Sequence, residues 1–424
     1  MNQPSHLKRA DRVENSRHRR SPALRTLTAL LAVTLLSTVP VRGQEPKVFR
    51  RDPGDLVRMK EALTKDPKRF TSSVHGIKVR ADRALGVEPV SVMEKAITPP
   101  SGDKHDYMSL SRYWWPDPSK PGGLPYIRRD GETNPEIDKI PDHQNLGRMI
   151  TAVDALAFAY FITEENKYAD HAVRLLRTWF LEPSTRMNPH MRFAQGVPGR
   201  AAGRGEGILD AREFSLLVDA LGLLETSPSW TDKLQMGLSS WFSEYLKWVL
   251  ESKNGIDEFS SNNNHGTWYD VQTLALALYT GDRTKAKEIA ELAKTKRIGS
   301  QIEPDGSQPF ELARTRSLDY SMMNLEAFFR LASLAQKVGV DLWHYTTSDG
   351  RSIRKALDRL LPFVQGEKTW EEKQIAPIKF DAMYPILLRA GRVYGEKRYL
   401  EIADAIPLSD SAKLLARSRV GILE

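Results

Sequence analysis

Apolar residues recur at three- and four-residue steps through most of the chain beyond residue 44, and this constrains the fold more than any other feature. Leu234, Leu238, Trp241, Phe242, Tyr245, Trp248 and Val249 draw one such stripe, the mark of a helix with one face turned to a core. Comparable stripes run through 146–161, 171–180, 211–224, 271–279, 318–334, 353–363 and 380–390. Turn residues separate them at 163–166, Ser227-Pro228-Ser229, Gly281-Asp282, Gly339 and Gly366. Period-two alternation is scarce, no fixed-length repeat marks a solenoid, and no Pro/Gly/Ser linker divides the chain. The pattern predicts a single all-α domain over 44–424, a stack of antiparallel helix pairs in a bundle or toroid.

Composition narrows the chemistry. The 424 residues are 40% hydrophobic and 27% charged, the balance of a globular chain and not of a disordered one. The absence of cysteine excludes disulfides, thiolate zinc sites, iron–sulfur clusters and cysteine nucleophiles. A formal charge of +8 suggests a polyanion partner, but the first 43 residues hold eight basic and two acidic side chains, leaving +2 for the rest. A global field for nucleic acid is therefore not expected, and polyanion binding would fall to local clusters. The same 43 residues read as an export signal: a basic stretch to Arg25, an apolar run from Leu27 to Val39, then Val41-Arg42-Gly43 before Gln44. That run is too short for a permanent span, so the mature protein is expected in the periplasm or outside the cell, free of the membrane.

Three stretches resist the helical reading. Residues 104–138 are rich in Pro, Gly and aromatics, 186–207 in Gly, Arg and Asn, and Ile302 to Pro309 is a polar turn. Long irregular segments on a helical scaffold tend to carry function, and three such loops are expected to rim a cleft. In the first, Tyr113-Trp114-Trp115-Pro116 offers flat faces for sugar rings, or a plug beneath a proline-rich turn. In the second, Arg192, Gln195, Arg200 and Arg204 form a basic track, with Gly196, Gly203 and Gly205 permitting close backbone approach. Gln195 and Arg204 are the preferred substrate contacts.

Two constellations carry chemistry. Asn262-Asn263-Asn264-His265-Gly266-Thr267-Trp268-Tyr269 crowds amides, an imidazole and aromatics at a helix start, where backbone N–H groups favour a carboxylate; the plainer reading is a cap with an incidental histidine. Glu311-Leu312-Ala313-Arg314-Thr315-Arg316-Ser317-Leu318-Asp319-Tyr320 sets two guanidiniums near a phenol; the plainer reading is a charged helix face. Guanidiniums suit carboxylates, and two beside a phenol would lower its pKa. His105, His143, His190 and His344 lack metal-ligand spacing, His143 with Gln144-Asn145 being the strongest among them.

These segments resemble the two signatures of alginate lyases with an α/α-toroid fold: Asn264-His265 followed closely by Trp268, and Glu311 to Arg314 before Leu318-Asp319-Tyr320. The resemblance implies an incomplete (α/α) toroid or barrel with long cleft-lining loops, no metal or organic cofactor, and an acidic polysaccharide as partner. It implies Asn264, His265, Arg314 and Tyr320 as the catalytic set, with Arg316 competing with Arg314 for the carboxylate. Trp114, Trp115, Gln195, Arg204, Trp268 and Arg316 are the expected substrate-binding residues.

The chemistry stands on its own logic. β-Elimination at a 4-linked uronate removes the C5 proton beside a carboxylate, so the intermediate gains a second negative charge. Cations and amide donors at that carboxylate stabilise it, while a base takes H-5 and an acid protonates O4. In a mannuronate both lie on one face, and Tyr320 can serve twice; in a guluronate they lie on opposite faces, with His265 as base and Tyr320 as acid. Two other readings remain at this level. One is a toroidal glycoside hydrolase using carboxylates such as Glu206, Asp210, Glu213 or Glu311; the other is a non-catalytic glycan-binding protein.

Overall fold

The computed structural model describes residues 45–421, so the export signal read over 1–43 lies outside the described residues. Helices dominate: α1 (Pro53–Lys65), α2 (Thr71–Leu85), α3 (Asp142–Thr163), α4 (Asn166–Phe180), α5 (Phe214–Leu224), α6 (Asp232–Glu251), α7 (Lys253–Phe259), α8 (Asn264–Thr280) and α9 (Arg283–Ala293). Two short turns, α10 (Gly299–Gln301) and α11 (Pro309–Leu312), lead to α12 (Ser317–Ala335), α13 (Ile353–Val364), α14 (Met383–Tyr394), α15 (Lys397–Ala405) and α16 (Asp410–Val420). The predicted stripes fall inside these helices, except that 211–224 and 380–390 begin three residues ahead of α5 and α14, whereas α1, α2, α9, α15 and α16 are too polar along their length for their spacing to announce them.

The turn residues do the cutting that their chemistry dictates. Gly281 ends α8 in the left-handed region at φ 84°, where a side chain would be strained. The next residue, Asp282, caps α9 by accepting from the Lys285 N–H. Thr231 and Ser352 cap α6 and α13 in the same way.

Helices α3, α5, α8, α12 and α14 form an inner row, each packed on the next, with α2 and α4 against α3, α6 and α9 against α8, and α15 and α16 against α14. This double layer is the all-α toroidal arrangement of antiparallel pairs. The inner helices are buried nearly all round. Helix α3 is long and apolar enough to cross a bilayer by composition, but it lies in the core and carries the buried Asp142 and Asp154. Edge-to-face and stacked rings of Phe180, Phe214, Trp241 and Tyr245 lock α4, α5 and α6 together, each pair adding about 0.5–1.5 kcal/mol beyond burial.

The two long irregular segments join each other. Strand β1 (Met108–Leu110) of the first pairs in parallel with β4 (Phe193–Gly196) of the second, and β2 (Trp114–Trp115) pairs antiparallel with β3 (Ile127–Arg128). The result is a platform of loops fixed to one end of the helical stack through contacts of β1 with α3.

Candidate active site

A cavity of about 390 Å³ lies between this platform and the first turns of α8 and α12. Tyr113, Trp114, Gln195, Arg204, Asn263, His265, Arg314, Arg316 and Tyr320 line it, with His143, Glu206 and Asp210 among the remaining walls. The expected third rim, Ile302 to Pro309, takes no part. Its Gln308 is buried and tied to Asn324 and the Ser321 carbonyl, so the loop braces α12 instead.

Helix α8 begins earlier than its apolar stripe, so Asn264 and His265 occupy its first turn, with Asn263 as the cap accepting from the His265 N–H. His265 Nδ1 sits 2.7 Å from Oε1 of the buried Glu258, which leaves Nε2 as the ring's other nitrogen. Burial alone would lower the imidazole pKa, but the charge of Glu258 and its hydrogen bond outweigh burial and hold it above the usual value.

Arg314 is held by Asp130, to which Nη2 donates at 2.7 Å and Nε at 3.1 Å. Thr315 secures the same carboxylate through its N–H and hydroxyl. The guanidinium carbon lies 3.9 Å from the centre of the Tyr320 ring, a cation–π contact. Arg316 pairs with Asp319, Nε donating at 2.7 Å. The Tyr320 hydroxyl donates to that of Tyr113 at 2.7 Å.

The expectation that the two arginines depress the Tyr320 pKa is reversed. Burial and the neighbouring Tyr113 raise it, and Arg314 offsets only part of that, because its charge lies over the ring face and is shared with Asp130. The phenol is therefore protonated at neutral pH.

Three further expectations are corrected. Asn264 does not reach the cavity: it is wholly buried, and its N–H and Nδ2 donate to the buried Glu311 carboxylate at 2.6–3.0 Å. Asn263 is the amide that faces the space. Trp115 turns away from Trp114, as successive strand residues must; its Nε1 donates to the Glu132 carbonyl, and Arg129 covers its ring. Trp268 is 2% exposed and lies under Arg330, whose guanidinium carbon is 4.7 Å from the ring centre. It supports the floor and cannot touch a sugar.

Arg204 spans the loops, Nε donating to the Gln195 carbonyl, Nη1 to Glu206 and Nη2 to the Ser111 hydroxyl. Gly203 permits this path: a Cβ there would lie 2.1 Å from the Arg192 carbonyl oxygen. Gln195, at φ 49°, donates through Nε2 to Asp210, which also accepts from Ser109 and Tyr107. With Asp210 saturated, Glu206 paired to Arg204, Glu213 paired to Arg330 and Glu311 sealed, the carboxylates named for hydrolysis are all engaged. Among the described residues no group of His, Asp and Glu is arranged to hold a metal ion.

The alginate lyase family model matches residues 91–370. The chain belongs to the alginate lyase family. A crystal structure of an alginate lyase from Bacteroides ovatus is 39% identical, covers 89% of this chain and 100% of its own, and superposes with a TM-score of 0.83. Alginate lyase A1-III, a histidine-to-alanine variant complexed with a tetrasaccharide, shares the fold at 17% identity and a TM-score of 0.53, over 80% of this chain and 93% of its own. The curated proteins hold no match to the sequence. The chain is thus a polysaccharide lyase with the toroidal fold of its family, and the hydrolase and binding-protein readings are set aside.

Sequence reasoning missed Glu258 and Asp130, and of Tyr113, read as a flat face for sugars, it missed the hydrogen bond with Tyr320. Tyr113 adjoins the tryptophans that were singled out and was legible as an aromatic. Glu258 precedes His265 by seven residues across a helix break, and Asp130 is 184 residues from Arg314, so neither left a local signal.

Proposed function

We propose that this lyase cleaves alginate, or a closely related 4-linked polyuronate, by β-elimination, leaving an unsaturated uronate at the new non-reducing end. The observation that carries the reading is the meeting of His265, Arg314, Arg316 and the protonated Tyr320 in one groove, on a chain 39% identical to an alginate lyase. The unpaired edges of the two guanidiniums and the imidazole bind the C5 carboxylate and stabilise the dianionic intermediate. Tyr320, kept as a phenol by burial, protonates O4 as the C4–O4 bond breaks. On a guluronate, Nε2 of neutral His265 removes H-5 from the opposite face. On a mannuronate, H-5 and O4 share a face, and the Tyr320 oxygen accepts H-5 as its own phenolic proton passes to O4, so that the hydroxyl is restored when the C4–O4 bond breaks. Trp114 and Arg204 flank the chain of sugars. Export through the signal read over 1–43 places the enzyme in the periplasm or outside the cell, where such polymers are met.

Mature protein incubated with polymannuronate and polyguluronate should generate the ultraviolet absorbance of a conjugated uronate, and Tyr320→Phe should remove it. Release of reducing ends without that absorbance overturns the proposal.

A further inference from the structure

Tyr320 stands in the first turn of α12, and Arg330 about 15 Å further along the same helix. There α12, α14 and the segment before α1 border a second, half-open cavity, of about 40 Å³, lined among others by Arg50, Glu326, Arg330, Ile386 and Arg389. Arg50 is 8% exposed, and its Nη1 is buried without a hydrogen-bond partner. Among the described residues neither Arg50 nor Arg389 forms an ion pair. The carboxylates nearby are committed elsewhere: Glu213 and Glu326 both pair with Arg330. Asp219 accepts from the N–H groups of Phe49, Arg50 and Arg51 and faces the Arg51 guanidinium.

Three guanidiniums thus meet two carboxylates around a half-open space, and the buried Arg50 Nη1 is left there without a partner. A buried charge without a partner is unfavourable, and a ligand of one negative charge removes the imbalance. We propose that this cavity binds a small, singly charged inorganic anion of the chloride class, held between Arg50 Nη1 and the Arg389 guanidinium. The volume suits a body the size of one or two waters. Burial, with Arg330 close by, pushes the Arg50 guanidinium down to about 9, and burial brings Arg389 down to about 10; an anion between them would reverse both. The bound ion would clip the N-terminal segment to α12 and α14.

The site is tested with bromide as the probe, on the mature enzyme at constant ionic strength, exchanging gluconate for bromide. A saturable rise in melting temperature of about 2 °C is expected from binding to the folded state alone. Bromide-soaked crystals should show an anomalous peak against Arg50 and Arg389. Arg389→Met, remote from the cleft, should keep turnover and lose the saturable rise; it decides the matter even if Arg50→Met fails to fold. A response unchanged in Arg389→Met, or bromide crystals without a peak in this cavity, overturns the proposal.

Discussion

The guanidinium of Arg314 rests 3.9 Å from the centre of the Tyr320 ring while its N–H groups grip Asp130, from a loop 184 residues earlier in the chain. The cation that faces the substrate is therefore oriented from two sides, by a π-face on α12 and by a carboxylate from the turn after β3. Its Nη1 is the edge left for a ligand.

Asp130→Ala should cut that second tether and also free Thr315. Because the Asp130 carboxylate is only partly buried, the fold should survive. Loss of orientation at the reacting centre should lower kcat/KM by about 10- to 100-fold. Steady-state kinetics alongside a melting curve will check it, and native kcat/KM in the variant counts against the tether.

Glu258 raises the pKa of His265, so Glu258→Gln should lower it. On polyguluronate, where His265 must be neutral to take a proton, the acidic limb of the pH–rate profile should move to lower pH. The maximum rate should fall, since the imidazole becomes a weaker base. A limb that stays in place would remove His265 from the proton transfer.

Asn264→Ala should act on stability more than on binding. The substitution strips two side-chain hydrogen bonds from the buried Glu311, whose pKa burial already raises. The expected cost is about 2–3 kcal/mol in denaturant unfolding. Asn263→Ala should cost about 1 kcal/mol through the lost cap and weaken substrate binding as well.

Acid sensitivity should be visible at Glu213. Burial favours its neutral form, but Arg330, Arg212 and Arg50 outweigh burial and bring its pKa down to about 2. A carboxyl lowered in the folded state contributes stability that is complete above its unfolded pKa, about 4.3, and is lost as pH falls toward 2. Melting temperature should fall across that window, with a shallower slope in Glu213→Gln.

Gly203→Ala places a methyl against the Arg192 carbonyl. The loop must shift, costing about 1–3 kcal/mol and displacing Arg204, so KM should rise more than kcat falls.

The helical architecture was legible because helices such as α6 and α12 repeat apolar residues at their own period. The polar outer helices α9 and α16 gave no such rhythm. In the site, His265, Arg314 and Tyr320 stood out because their neighbours in sequence are also neighbours in space. Asn264 was misplaced because the helix begins one residue before His265. A shift of one position on a helix turns a side chain by about 100°, enough to send this amide into the core toward Glu311. The Tyr320 pKa was misjudged for a related reason. Sequence shows two cations within six residues but not that one lies over the ring and shares its charge with a distant acid. Trp115 was lost to strand alternation, a fact of β2 that two residues cannot announce.

His265 and Tyr320 project from the opening turns of helices whose remaining length is core, whereas Trp114, Gln195 and Arg204 stand on loops joined by the short β1–β4 pairing. The reactive groups are thus cast into the scaffold, and the sugar-facing wall is a detachable fitting. An engineer retargeting this enzyme to another acidic polymer should exchange 104–138 and 186–207 together, as one cassette that keeps Tyr113 and Asp130, and leave α8 and α12 untouched.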